Sequence, residues 1–197
     1  MENPVMRTLS VIADLIVLNL LTIVCCLPVV TAGASLTALN AAVIKILRGE
    51  ESALAKDYFR AFRENFKKGS AMGLIFLLIF VLLYVDYLAA QTFIPALCPV
   101  IAAMAPLTLT LGLYAFAMLA RYENTLPRTL KNALLLAVGY FPRTLGMVVF
   151  AMAFWLLMIR FLRYGAPILF LFGLSLPCYV CILLMQGIFA KLEKTER

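Results

Sequence analysis

The chain contains no histidine at all. That removes the side chain most often used as a general base and the commonest metal ligand. Charge is scarce too: Asp, Glu, Lys and Arg make up 14% of the residues, against about 25% in an ordinary soluble domain. No phosphate-cradling Gly-Lys loop, zinc-ligand spacing or Ser/His/Asp arrangement occurs. The expectation is therefore a protein that is not an enzyme and carries no cofactor and no metal.

What the chain has instead is hydrocarbon. Hydrophobic residues reach 64% and mean hydropathy is +1.01. Too little polar surface remains to cover a water-soluble globule of 197 residues, so the bilayer must be part of the solvent. A helix needs about 20 residues to cross a hydrocarbon core of roughly 30 Å. Apolar runs read as crossings lie at about Thr8–Leu27, Ala34–Leu47, Ala71–Tyr87, Val100–Ala120, Thr144–Leu162 and Ile168–Ala190. The run from Val11 to Val30 is too long for the apolar part of a signal peptide, so it is read as a retained first helix. Pro177 is expected to kink the last one.

The fold class predicted is all-α: one integral membrane domain over 1–197, with six transmembrane helices arranged as three hairpins at about 7–50, 69–123 and 143–193. A repeat supports the pairing. Arg48-Gly49-Glu50-Glu51-Ser52, Arg121-Tyr122-Glu123-Asn124-Thr125 and Lys191-Leu192-Glu193-Lys194-Thr195 each close an apolar run, at spacings of 73 and then 70 residues. Arg48 with Glu50, Arg121 with Glu123 and Lys191 with Glu193 are candidate ion pairs on the cytoplasmic side. The plainer account is charge placed at helix ends, where a cation suits the C-terminal dipole.

Two segments differ in kind from the crossings. Over about 53–68, Leu54, Tyr58, Phe59, Phe62 and Phe66 recur at helical spacing, with Arg60, Arg63 and Lys67 among the charged residues on the rest of the surface. Ser52 is the expected N-cap and Gly69 the expected stop. Such a helix lies in the membrane interface, or packs on its own bundle with its charges in water. Tyr58, Phe59, Arg60, Phe62, Arg63, Phe66 and Lys67 are the candidate partner surface. A second amphipathic helix is predicted at about 126–141, capped by Thr125.

The net charge of +7 is spread beside the apolar runs, which points to a membrane surface and away from nucleic acid. With the N-terminus inside, 15 of the 17 Lys and Arg fall on the cytoplasmic side, so both termini are expected there. Asp14, Asn19 and Asn40 are the candidate intramembrane polar residues. Polar groups in a crossing either serve a pathway or bond between helices, here within the first hairpin. Gly69-x-x-x-Gly73 offers a close helix approach. Cys178-x-x-Cys181 has redox spacing but sits in an apolar run, so its cysteines are read as small buried hydrophobes.

The stretches Leu27-Pro28-Val29-Val30-Thr31-Ala32-Gly33, Asp57 through Gly69, Ala120 through Thr125 and Leu130-Lys131-Asn132-Ala133 together resemble the YesL-like family of bacterial membrane proteins. That family has no established activity. The resemblance implies a place in the bacterial cytoplasmic membrane and an accessory role beside a carbohydrate ABC importer, and it supplies no binding residues. The function expected is a non-enzymatic partner subunit associated with carbohydrate uptake. The alternatives are a small stand-alone transporter of a polar solute, or a membrane scaffold or sensor.

Overall fold

The computed structural model describes residues 4–50, 53–122, 124–160, 167 and 170–195, and all regular structure among them is helical. In order these are α1 (Pro4–Cys26), a 3-10 turn (Val29–Thr31), α2 (Ala32–Arg48), α3 (Leu54–Glu64), α4 (Phe66–Phe93), a 3-10 turn (Pro95–Leu97), α5 (Cys98–Arg121), α6 (Leu126–Gly139), α7 (Phe141–Arg160) and α8 (Ser175–Thr195).

Glycine and proline set several of the boundaries. α2 stops at Gly49, whose φ of 70° is left-handed and free of steric cost only for glycine. The Gly49 amide donates to the Ile46 carbonyl at 3.0 Å and the Glu50 amide to the Lys45 carbonyl at 3.2 Å, closing the helix end. Pro95 opens a 3-10 turn and Pro99 falls in the first turn of α5, where a missing N–H leaves no bond unmade. Pro177 likewise lies in the first turn of α8, so it starts that helix and does not kink it.

Two of the three expected caps are corrected. The first amphipathic helix ends at Asn65, and Gly69 is buried inside α4 with its amide donating to the Asn65 carbonyl at 2.7 Å. Ser52 lies outside the described residues. Thr125 makes no side-chain capping bond; its carbonyl instead accepts from the Thr129 amide at 2.9 Å and hydroxyl at 3.1 Å.

Four stretches are long and apolar enough to cross a membrane: Thr8–Cys26, Val29–Arg48, Phe66–Phe93 and Pro95–Arg121. A fifth arises if α6 and α7 count as one broken span, but the two are bent 97° apart at Tyr140. The order of elements recurs: a long pair joined by a 3-10 turn, then a short amphipathic helix feeding the next long helix through one residue, Asn65 in one case and Tyr140 in the other. Each short helix is tied to the long helices by a buried hydroxyl pair. Tyr58 Oη lies 2.7 Å from Ser35 Oγ, and Tyr114 Oη lies 3.0 Å from Thr144 Oγ1, which in turn donates to the Ala137 carbonyl at 2.9 Å.

α2 is the hub. Ten of its 17 residues are buried, against five of 28 in α4 and eight of 24 in α5. The α4–α5 pair is antiparallel, with Phe76 against Gly112 and its ring centroid 5.9 Å from that of Phe116, so the start of α4 lies with the end of α5. Gly33, in the first turn of α2, meets this end. A Cβ on Gly73 would lie 2.7 Å from Gly33 Cα, and one on Gly69 would lie 2.8 Å from Ala34 Cα. Small residues here let two backbones touch, the approach that Gly69-x-x-x-Gly73 offers. The contact has a topological consequence. The six-crossing reading puts the Pro28–Gly33 turn on the face opposite Gly69, whereas the structure brings the two together. The other end of α2 also lies here, with Lys45 and Arg48 lining one cavity with Ala120 and Arg121 of α5. The first turn of α2 thus packs on the first two turns of α4, while its last turn shares a cavity with the end of α5.

Candidate functional site: a charged cleft and an apolar cavity

α3 is rooted by one residue. Tyr58 is fully buried in the cluster that includes Leu18, Leu39 and Val43. Its hydroxyl pairs with Ser35, whose own hydroxyl donates to the Thr22 carbonyl of α1 at 3.1 Å. Burial pushes the Tyr58 phenol above its usual range, and the hydrogen bonds of Ser35 and Thr22 oppose that only in part. The candidate aromatic residues therefore do not share one face. Phe62 is half-buried, while Phe59 and Phe66 are 48% and 41% exposed, and Phe66 belongs to α4. Arg60, Arg63 and Lys67 are exposed.

A cleft of about 230 Å³ separates α3 from α2 and the end of α5. Its charged lining comprises Lys45, Arg48, Glu50, Asp57, Arg60, Glu64 and Arg121. Asp57 is its centre. Its carboxylate lies 3.3 Å from Lys45 Nζ and 3.7 Å from an Arg60 guanidinium nitrogen, with only 12% of its side chain exposed. Partial burial strengthens the attraction to Lys45 and adds a desolvation cost, so removing Lys45 would leave a carboxylate poorly solvated. Arg48 and Glu50 pair at 3.7 Å, both about half exposed. Of the three candidate ion pairs this is the one the described residues contain. Glu123 and the side chains of Lys191 and Glu193 lie outside them. Arg121 faces this cleft and also stands 5.9 Å from the Tyr122 ring centre. The periodicity of α3 did not mark Asp57. The signal that could have found it is Lys45, a cation near the end of an apolar run that needs a counter-charge.

The intramembrane candidates separate. Asn19 is fully buried and reaches across the chain: its amide nitrogen donates to the Phe170 carbonyl at 2.7 Å, and its Oδ1 accepts from the amides of Leu174 at 2.8 Å and Ser175 at 3.1 Å. It thereby caps the start of α8, satisfying amides that a helix N-terminus leaves unpaired. Asn40 donates to the Leu36 carbonyl of its own helix at 2.8 Å. The bonds expected within the first hairpin are thus replaced by one long-range cap and one local bond. Asp14 is half-buried on α1 and lines neither cavity.

The second cavity, about 460 Å³, lies among α2, α4, α5, α7 and α8. Its lining is apolar apart from Asn40 and Thr108, and includes the buried free thiols Cys178 and Cys181. Among the described residues no group of three His, Cys, Asp or Glu could hold a metal ion.

This is an all-helical chain of membrane-protein type, with a charged cleft at one end and an apolar cavity inside. Residues 15–87, from α1 through most of α4, match the family described as "Protein of unknown function, DUF624". No curated protein and no solved structure matches the chain. The match covers Asn19, Gly33, Tyr58, Asp57 and Gly73, and it brings no activity with it.

Proposed function

We propose that this protein is a non-enzymatic accessory subunit of the bacterial cytoplasmic membrane, associated with carbohydrate uptake and docking a component of an ABC importer through α3. The YesL-like resemblance supplies the carbohydrate link. The single observation that carries the docking surface is the division of α3: Tyr58 is rooted in the core while Phe59, Arg60 and Arg63 point outward. A helix fixed on one side and bearing an exposed ring between cations is suited to an acidic partner with an apolar notch. The apolar cavity speaks against carriage of a polar solute, because such sites need convergent polar groups.

The basic-residue distribution supports both termini on the cytoplasmic side. It does so equally for six full crossings and for an α1–α2 hairpin that enters and returns on one side, since either leaves the same loops inside. The contact of Gly33 with Gly73 supports the second.

The test is mild-detergent affinity purification with identification of co-purifying proteins, comparing the natural chain with Arg60→Glu/Arg63→Glu. Both side chains are exposed, but Arg60→Glu also breaks the 3.7 Å pair with Asp57, so Arg63→Glu alone is run beside it; in whichever variant melts and elutes unchanged, importer components should be lost. Unchanged recovery of every co-purifying protein would remove α3 as the docking surface.

A further inference from the structure

The larger cavity is too big to be a packing defect. Protein interiors hold few voids larger than a water molecule, and about 460 Å³ lies within the range of ligand pockets. An apolar space of this kind does not hold water stably, because water needs two to four polar partners. Its rim gives the direction of entry. Val29, Leu77, Phe80 and Trp155 line it and are 61%, 43%, 37% and 39% exposed. The cavity therefore opens sideways through the apolar outer surface of α4 and α7, the surface that meets the bilayer in a membrane protein. In a bilayer, Leu77, Phe80 and Trp155 at that opening would meet hydrocarbon. Inside, the walls are side chains such as Leu36, Leu109 and Met185, with no charged group among the described residues.

We infer that this cavity is a binding site for the acyl chain of a membrane phospholipid, which enters from the bilayer between α4 and α7. The inference rests on the membrane reading of the chain and is independent of any importer partner. The chain fills the space that α2, α4, α5, α7 and α8 leave open, and so becomes part of the packing of the hub helix α2. The headgroup stays at the bilayer surface; recognition is by shape and hydrocarbon.

Trp155, the one tryptophan in the sequence, reports on the site directly. Protein purified in dodecylmaltoside is titrated with phosphatidylglycerol carrying dibrominated acyl chains, whose bromines quench indole on contact. Quenching should saturate at stoichiometric lipid and be reversed by the unbrominated lipid. Leu36→Phe and Leu109→Phe, each placing a ring in the cavity, should abolish the saturable phase while the protein elutes unchanged. In parallel, a phosphatidylglycerol with a diazirine at mid-chain is photolysed in vesicles with the natural protein, a measurement that needs no variant. Adducts should map to Leu36, Leu109 or Met185. Quenching that never saturates, saturation that persists in both filled variants, or adducts confined to outer residues such as Leu78 and Leu82 would overturn the site. Flotation of the protein with the same vesicles checks the membrane reading separately: flotation without interior adducts sinks only the acyl-chain site.

Discussion

Gly33 and Gly73 face each other backbone to backbone: a Cβ on either would stand 2.7 Å from the other's Cα. Real Cβ atoms do not sit at that distance from backbone, and neither helix can yield as a flexible side chain would. Gly33→Ala or Gly73→Ala should push α2 off α4 and lower stability by about 1–3 kcal/mol, the usual range for overpacking. Gly146, in α7, has nothing within 4 Å of its would-be Cβ. Gly146→Ala should be neutral or raise stability by up to about 1 kcal/mol through helix propensity. Thermal melts in detergent compare the three; equal melting temperatures would mean that the helices do not touch.

The same contact predicts a labelling pattern. The Val29–Thr31 turn lies beside the start of α4, whereas the Pro95–Leu97 turn lies at its far end. Val30 and Leu97 are 54% and 45% exposed. In a background lacking reactive native cysteines, Leu97→Cys should react with an impermeant thiol reagent in intact cells and Val30→Cys should not. Reaction at both positions would restore six full crossings. The proposed cytoplasmic termini are checked alongside by cysteines at Glu2 and Thr195, both expected to be protected.

Tyr58 separates ring from hydroxyl. Tyr58→Phe keeps the buried ring and removes the partner of Ser35, a loss of about 0.5–1.5 kcal/mol. Tyr58→Ala empties the socket of α3, a loss of about 3–5 kcal/mol. Because burial raises the phenol's pKa in the folded state, its contribution is complete below about 10, the ordinary tyrosine value, and declines as pH climbs above it. Stability measured from pH 9 to 11 should therefore fall more steeply for the natural chain than for Tyr58→Phe. Parallel profiles would place the hydroxyl in contact with water.

Asn19 and Asn40 should behave differently despite equal chemistry. Asn19→Leu strips the cap from two amides and one carbonyl around the start of α8, at a cost of about 1–3 kcal/mol for buried groups left unpaired. Asn40→Leu removes one bond within its own helix and should cost less than about 1 kcal/mol. Protease nicking near residue 174, followed by mass spectrometry, should rise in the first variant alone.

The helices were legible because apolar runs, glycine at 49 and prolines at 95 and 99 are local signals. Which side of a helix faces inward was not. In a water-soluble helix the apolar stripe marks the core. In a membrane the lipid-facing side is apolar as well, so Phe59 and Tyr58 look alike in sequence although one is 48% exposed and the other buried. Partners distant in the chain were equally hidden: nothing near Asn19 announces Leu174, and nothing near Gly33 announces Gly73. The charged cleft was half visible, through Arg48, Glu50, Arg60 and Arg121, because charge in so apolar a chain has few places to go.

The Asn19 cap also sets an order of events during synthesis. Its three bonds reach residues 151 to 156 positions further along. When α1 leaves the ribosome, the segment that will receive its amide has not been made. Until residue 175 arrives, the Asn19 side chain has only its own helix, water or lipid headgroups to bond. The first helix is thus the last to be locked, and the bundle closes as a ring does, by its two ends. A chain cut short before α8 would leave its beginning, and not merely its end, unfinished.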